Sequence, residues 1–195
     1  MKKKLMAIAL CTIIGVMAIA GSSLAWLQDS TQTVVNTFTE GKVDIDLYET
    51  KDGTKVMANS YKMVPGDVLP KDPTVEVLAV SEECYVFVKV EEINAVDTFL
   101  SYTIDSKWTQ LKDANGNDVE GVYYLVAEDT DADQTFNVLA GDKVTVNTGV
   151  KMEDMNTLNA STYPQLKFTA YAVQKANVDS AAEAWEIFFP TTPTT

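Results

Sequence analysis

Tyr85-Val86-Phe87-Val88-Lys89-Val90-Glu91-Glu92 is a poor helix and a good strand. Its β-branched and aromatic side chains crowd a helical turn but fit a pleated surface. Lys89 and Glu91 fall on one face at a period of two. The same period appears in Val43-Asp44-Ile45-Asp46-Leu47 and in Val75-Glu76-Val77. Further strands are predicted at Trp108 to Leu111, Val122 to Val126, Thr135 to Leu139, Val144 to Val150 and Leu166 to Gln174. Asp113-Ala114-Asn115-Gly116-Asn117 marks a hairpin around Asn115-Gly116. Pro65-Gly66-Asp67 and the stretch from Pro70 to Pro73 punctuate turns. Ile93, Val96, Leu100 and Ile104 recur at helical spacing and predict a helix that interrupts the strands. A second helix is announced by Ser180-Ala181-Ala182-Glu183, a capping box, with Ala181, Trp185 and Phe188 on one face. Many short strands separated by turns predict an all-β chain, an antiparallel β-sandwich with one or two short helices.

The first 25 residues are a different polymer. Lys2, Lys3 and Lys4 precede an apolar run from Leu5 to Ala20, and Ser23-Leu24-Ala25 reads as a small-x-Ala peptidase site. This is the pattern of a secretory signal peptide, cut between Ala25 and Trp26. The alternative is an uncleaved anchor, since Leu5 to Leu27 reaches the ~20 residues a bilayer needs. Gly21, Ser22 and Ser23 interrupt it near its end, so no stable anchor is expected after cleavage. The organisation predicted is a signal peptide at 1–25, an N-terminal segment at 26–40, a folded domain at 41–189 and a Pro/Thr-rich tail at 190–195.

Charge excludes whole classes of function. The 195 residues carry 15 lysines, no arginine, no histidine and 28 acids, a net charge of −13. Cleavage removes three lysines and no acid, leaving 170 residues at −16. With no basic face, no nucleic-acid partner is expected. Without histidine there is no His-ligated zinc, no HExxH protease and no His-activated nucleophile. Cys11 lies in the leader, so Cys84 is alone in the mature chain and no internal disulfide is possible. At the head of an apolar run, Cys84 reads as a buried small hydrophobe, or else as a redox or cross-linking thiol.

The remaining chemistry is carboxylate chemistry. Asp44 and Asp46 share a strand face, as a cation or acid–base pair requires and as a solvated face also provides. Glu128, Asp129, Asp131 and Asp133 have the spacing of a weak Ca²⁺ loop or of a solvated turn. Asp113 to Asp118 starts like an EF-hand loop but has Asp118 at position six and Tyr124 at position twelve, so a hairpin turn is the better reading. Gly141 and Gly149 are turn glycines, outside any phosphate-cradling loop. Trp108, Tyr123, Tyr124 and Tyr171 suggest either a sugar platform or cross-strand core pairs. No metal, cofactor or catalytic residue is expected.

Leu24-Ala25-Trp26-Leu27-Gln28-Asp29 runs straight out of the leader, and Asn36-Thr37-Phe38-Thr39-Glu40-Gly41-Lys42-Val43-Asp44-Ile45-Asp46-Leu47 follows. With Val64-Pro65-Gly66-Asp67 and Lys71-Asp72-Pro73, this resembles the N-terminal signature of the camelysin/TasA family. That signature is an aromatic near the cut, an Asp, NTFT-x-G-x-VDIDL and a PGD turn. Trp26 and Asp29 take its first positions. The likeness is specific over residues 20–90 and one of general layout beyond. It implies a jelly-roll sandwich exported by a Gram-positive bacterium, cut by a SipW-type signal peptidase, and polymerising into biofilm-matrix or cell-surface fibres. In such fibres the freed N-terminus of one subunit pairs as a strand with the next. Here Thr31 to Thr39 is polar and β-branched, with Val34, Val35 and Phe38 as apolar pegs, and head-to-tail pairing gives a filament. The expected partners are therefore further copies of the same chain. An ordinary first strand of its own sandwich is the alternative reading of that segment, and a monomeric surface adhesin the alternative function. Camelysin's metalloprotease activity is not carried over, because this chain has no histidine.

Overall fold

A computed structural model describes residues 41–190. In chain order its strands are β1 (Ile45–Lys51), β2 (Thr54–Val56), β3 (Val68–Pro70), β4 (Thr74–Val77), β5 (Cys84–Ile93), β6 (Leu100–Ser101), β7 (Thr109–Lys112), β8 (Asp118–Ala127), β9 (Gln134–Asn137), β10 (Lys143–Val146) and β11 (Gln165–Gln174). Short helices α1 (Val96–Phe99), α2 (Met152–Asn156) and α3 (Ala181–Phe188) interrupt them, with a 3₁₀ turn at Ala140–Asp142. The described chain is mostly strand, and every strand pair is antiparallel. Three sheets form, in the orders β2-β1-β4-β9, β3-β10-β6 and β11-β5-β8-β7.

Strand β5 organises the core because it is covered on both faces. Cys84, Val86, Val88 and Val90 point inward with their ladder neighbours Ala127, Leu125 and Tyr123 on β8 and Ala172, Ala170 and Phe168 on β11. They meet Val75 and Val77 of β4, with Trp108, Val138, Leu139 and Val144 closing the cluster. The opposite face begins with Tyr85 and Phe87, which pack with Val122 and Leu111 under Ala181 and Ala184 of α3. Trp185 lies 5.3 Å, centroid to centroid, from Phe87. A fully buried Phe such as Phe87 contributes about 1.5–3 kcal/mol over its exposed state. Past the end of α3's cover that face turns polar. Glu91 there pairs with Lys167 at 3.0 Å and Lys89 at 3.4 Å.

The Asn115-Gly116 hairpin forms as predicted, joining β7 and β8. The Asp113 carboxylate accepts from the backbone N–H (2.8 Å) and side-chain amide (3.1 Å) of Asn117 and from the backbone N–H of Asn115 (2.9 Å), which hold it below the usual carboxylate range. Helix α3 begins where the capping box predicts, with Ser180 Oγ accepting from Glu183 N at 3.2 Å. Glu183 reaches back one residue further, to Asp179 N at 2.9 Å. The predicted helix from Ile93 to Ile104 is shorter: only Val96–Phe99 is helical. Asn94 and Ala95 take left-handed backbone angles that end β5, and Leu100 is already extended and paired with Val146. Among the described residues three short α-helices therefore stand where one or two are predicted. The predicted strand Val144 to Val150 stops at Val146, and the short β2, β3 and β6 are additions.

Candidate functional site

The core is sealed by neighbours at its centre and flanked by partly buried apolar residues, one group of which lies along the seam of β1 and β11. β11 is ten residues long and pairs with β5 on one side; no other described strand pairs with its second edge. β1 lies alongside it, and no backbone ladder joins the two. On its far side β1 pairs with β4 through Ile45–Tyr48. Its seam-side edge is taken only from Glu49 onward, where β2 begins with Val56 opposite Glu49. Among the described residues, then, neither the outer edge of β11 nor the edge of β1 before Glu49 carries a ladder along this seam. Its two ends are marked by Gly41, 3.4 Å from the Gln174 side-chain amide at its Cβ position, and by Lys71, whose Nζ sits 5.2 Å from the Phe168 ring centre.

Apolar side chains line it. Val43, Ile45 and Leu47 come from the β1 side and Leu166, Phe168, Ala170 and Ala172 from β11. All are half-buried, whereas Val75, Val77, Val86 and Val88 behind them are fully buried. A long free edge beside half-covered apolar residues is a template for another strand, through main-chain hydrogen bonds and side-chain pockets.

One end of the seam holds a polar cluster. Counting by twos from Val43, Ile45 and Leu47 brings Glu49 to the core face. Lys71 Nζ donates to Glu49 Oε1 at 2.5 Å, and the Tyr61 hydroxyl donates to Oε2 at 2.9 Å. Asn59 donates to Tyr61 in turn, at 3.0 Å. Both charged residues are only 9 % exposed. The lysine rests between rings, 5.6 Å from Tyr61 and 5.2 Å from Phe168. Burial, and then the bond to Glu49, push the Tyr61 phenol up to about 12. Sequence reading missed this cluster. The available signal was the β1 period itself, which places an acid at a core position where only a paired one is tolerated.

The predicted site residues fall as follows. The cleavage pair Ala25 and Trp26, the pegs Val34, Val35 and Phe38, and tail residues 191–195 lie outside the described residues. Asp44 forms an ion pair with Lys42, and Asp46 is exposed on the same strand face. Glu128, Asp129, Asp131 and Asp133 are exposed, and Asp133 is engaged by Ala79 N at 2.8 Å. Among the described residues no three His, Cys, Asp or Glu side chains converge as metal ligands. The four aromatics do not form one platform. Trp108 is buried and donates to the Asn137 carbonyl at 2.9 Å, Tyr123 faces the inner core, and Tyr124 and Tyr171 lie on the outer face. Cys84 is fully buried, and burial pushes its thiol up to about 11, away from the reactive thiolate. Among the described residues no helix is long and apolar enough to cross a membrane.

Comparison of the chain with protein-family models, with curated proteins and with solved structures gives no match.

Proposed function

We propose that this chain is an exported structural subunit that polymerises head to tail, with residues 26–40 of one copy pairing as a strand along the β1–β11 seam of the next. The observation that carries this is the seam: a ten-residue edge on which no described strand pairs, beside half-buried core residues. A segment suited to it exists in the same sequence, polar and β-branched from Thr31 to Thr39 with Val34, Val35 and Phe38 as pegs. The leader, the net charge and the resemblance to the camelysin/TasA signature support the same reading. On it the three sheets form a jelly-roll β-sandwich. A SipW-type signal peptidase cuts after Ala25, and the protein works outside the cell, in the matrix or at the surface, without catalysis. A synthetic peptide of residues 26–40 tests it. In excess over the processed protein the peptide fills the seam and stops filament growth, whereas a scrambled peptide does not. Growth unaffected by either peptide removes the proposal.

A monomeric adhesin is the second reading, favoured by one feature. Glu92, Asp97, Ser101, Tyr102, Thr103 and Tyr123 line an open cleft, with Tyr102 donating to Glu92 at 2.6 Å. Hydroxyls, carboxylates and tyrosine rings suit a polyol ligand. Retention of the protein on immobilised polysaccharide without filaments, lost in Tyr123→Ala, would favour it.

A further inference from the structure

We propose that Glu49, Lys71 and Tyr61 form a register stop that fixes how far an incoming strand slides along the seam; this rests on the strand-donation reading above. A buried ion pair is a weak source of stability, because well-packed apolar residues of similar size often do as well. Its best-attested use is to specify register, by making every wrong alignment cost a broken pair. The position of this pair fits that use. The inner positions of the β1 side are apolar through Val43, Ile45 and Leu47 and then change to Glu49. The stretch of β1 edge on which no described strand pairs ends at the same residue, where β2 takes over.

Lys71 carries the barrier across the seam to Phe168 on β11. Tyr61 anchors it from the connection between β2 and β3. Among the described residues every buried side-chain polar atom has a hydrogen-bond partner, so the cluster offers nothing to an arriving strand. An apolar peg pushed beyond Leu47 would have to displace a desolvated charge pair.

Length makes such a stop useful. Six residues of open β1-side edge, Val43 to Tyr48, span about 20 Å, and a nine-residue donor from Thr31 to Thr39 spans about 30 Å. The donor is longer than this β1-side edge and shorter than the ten-residue β11 edge, so several alignments compete. Only slips of about two residues keep the same pegs facing inward. The cluster selects one of them by closing the Glu49 end.

The test places a photo-crosslinking amino acid at Phe38 of the processed protein and maps the acceptor residues within assembled filaments by mass spectrometry. The unsubstituted cluster gives crosslinks to one acceptor position on the neighbouring subunit. Glu49→Met with Lys71→Met keeps filaments but spreads the crosslinks to positions about two residues away. A single unchanged position in filaments of that double variant overturns the stop and leaves strand donation standing. Crosslinks confined to the same chain, or no assembly of the unsubstituted protein, remove strand donation and the stop together. If circular dichroism shows the double variant unfolded, Glu49→Gln with Lys71→Met decides, since it removes both charges while the Gln carbonyl oxygen can still accept from the Tyr61 hydroxyl. Broadened crosslinks support the stop and an unchanged pattern overturns it.

Discussion

Glu49 and Lys71 show how much depends on a single partner. Lys71→Met leaves a carboxylate buried without its cation and is expected to lower stability by about 3–5 kcal/mol in urea unfolding. Adding Glu49→Met should recover most of that loss, because the pair then becomes apolar packing. Gly121 presents a different constraint. Its φ is +67°, and a Cβ there would stand 2.4 Å from the Val90 carbonyl oxygen. Gly121→Ala is therefore expected to cost about 1–3 kcal/mol from backbone strain alone, with the clash in addition, read as a lowered urea midpoint. Tyr61 gives a pH signature. Its folded value of about 12 lies above the ordinary 10, so its contribution is complete below pH 10 and is lost as pH rises through 12. Urea midpoints should fall across that window, and Tyr61→Phe should flatten the fall. An equal slope in the variant would assign the loss to other groups, such as Tyr102, whose phenol burial and Glu92 also raise.

Elements were legible where local chemistry and tertiary demand agreed. β5 and β11 are long and rich in β-branched and aromatic residues, and their propensity matches burial beneath neighbours. The hairpin at Asn115-Gly116 and the N-terminus of α3 were readable because turn and cap chemistry is local. Ser180→Ala should cost about 1 kcal/mol through the lost cap, and loosening of α3 should shift Trp185 emission where it packs on Phe87. The helix predicted from Ile93 to Ile104 shows the opposite case. Its spacing was helical, but Asn94 and Ala95 turn the chain and Leu100 is recruited by β10. β2, β3 and β6 have two or three residues each, too few to show a period, and exist because a partner strand lies beside them. The Glu49–Lys71 pair was hidden for a related reason. Its members are 22 positions apart, and only the fold brings them together.

At the scale of the molecule, the proposed assembly needs its acidic subunits held apart until filaments form. With the proposed cleavage after Ala25 the charge is −16, which repels like copies, and salt screens that repulsion over roughly 10 Å at 0.1 M. Filament growth is accordingly expected to speed up with added salt and with mild acid, followed by light scattering. Slower growth in salt would show that attraction between charges, and not insertion of an apolar-pegged strand, drives assembly. The seam is the complementary feature. One edge of the domain leaves apolar residues half covered, and the account assigns the missing cover to a second copy.

Electron microscopy of the processed protein, residues 26–195, beside a shortened form beginning at Gly41, at neutral and mildly acid pH, tests that assignment most directly. The account predicts regular filaments from the longer form, and from the shorter one a folded monomer by size-exclusion chromatography. Filaments from the form that begins at Gly41, or a monomer from the longer form under every condition, would contradict it.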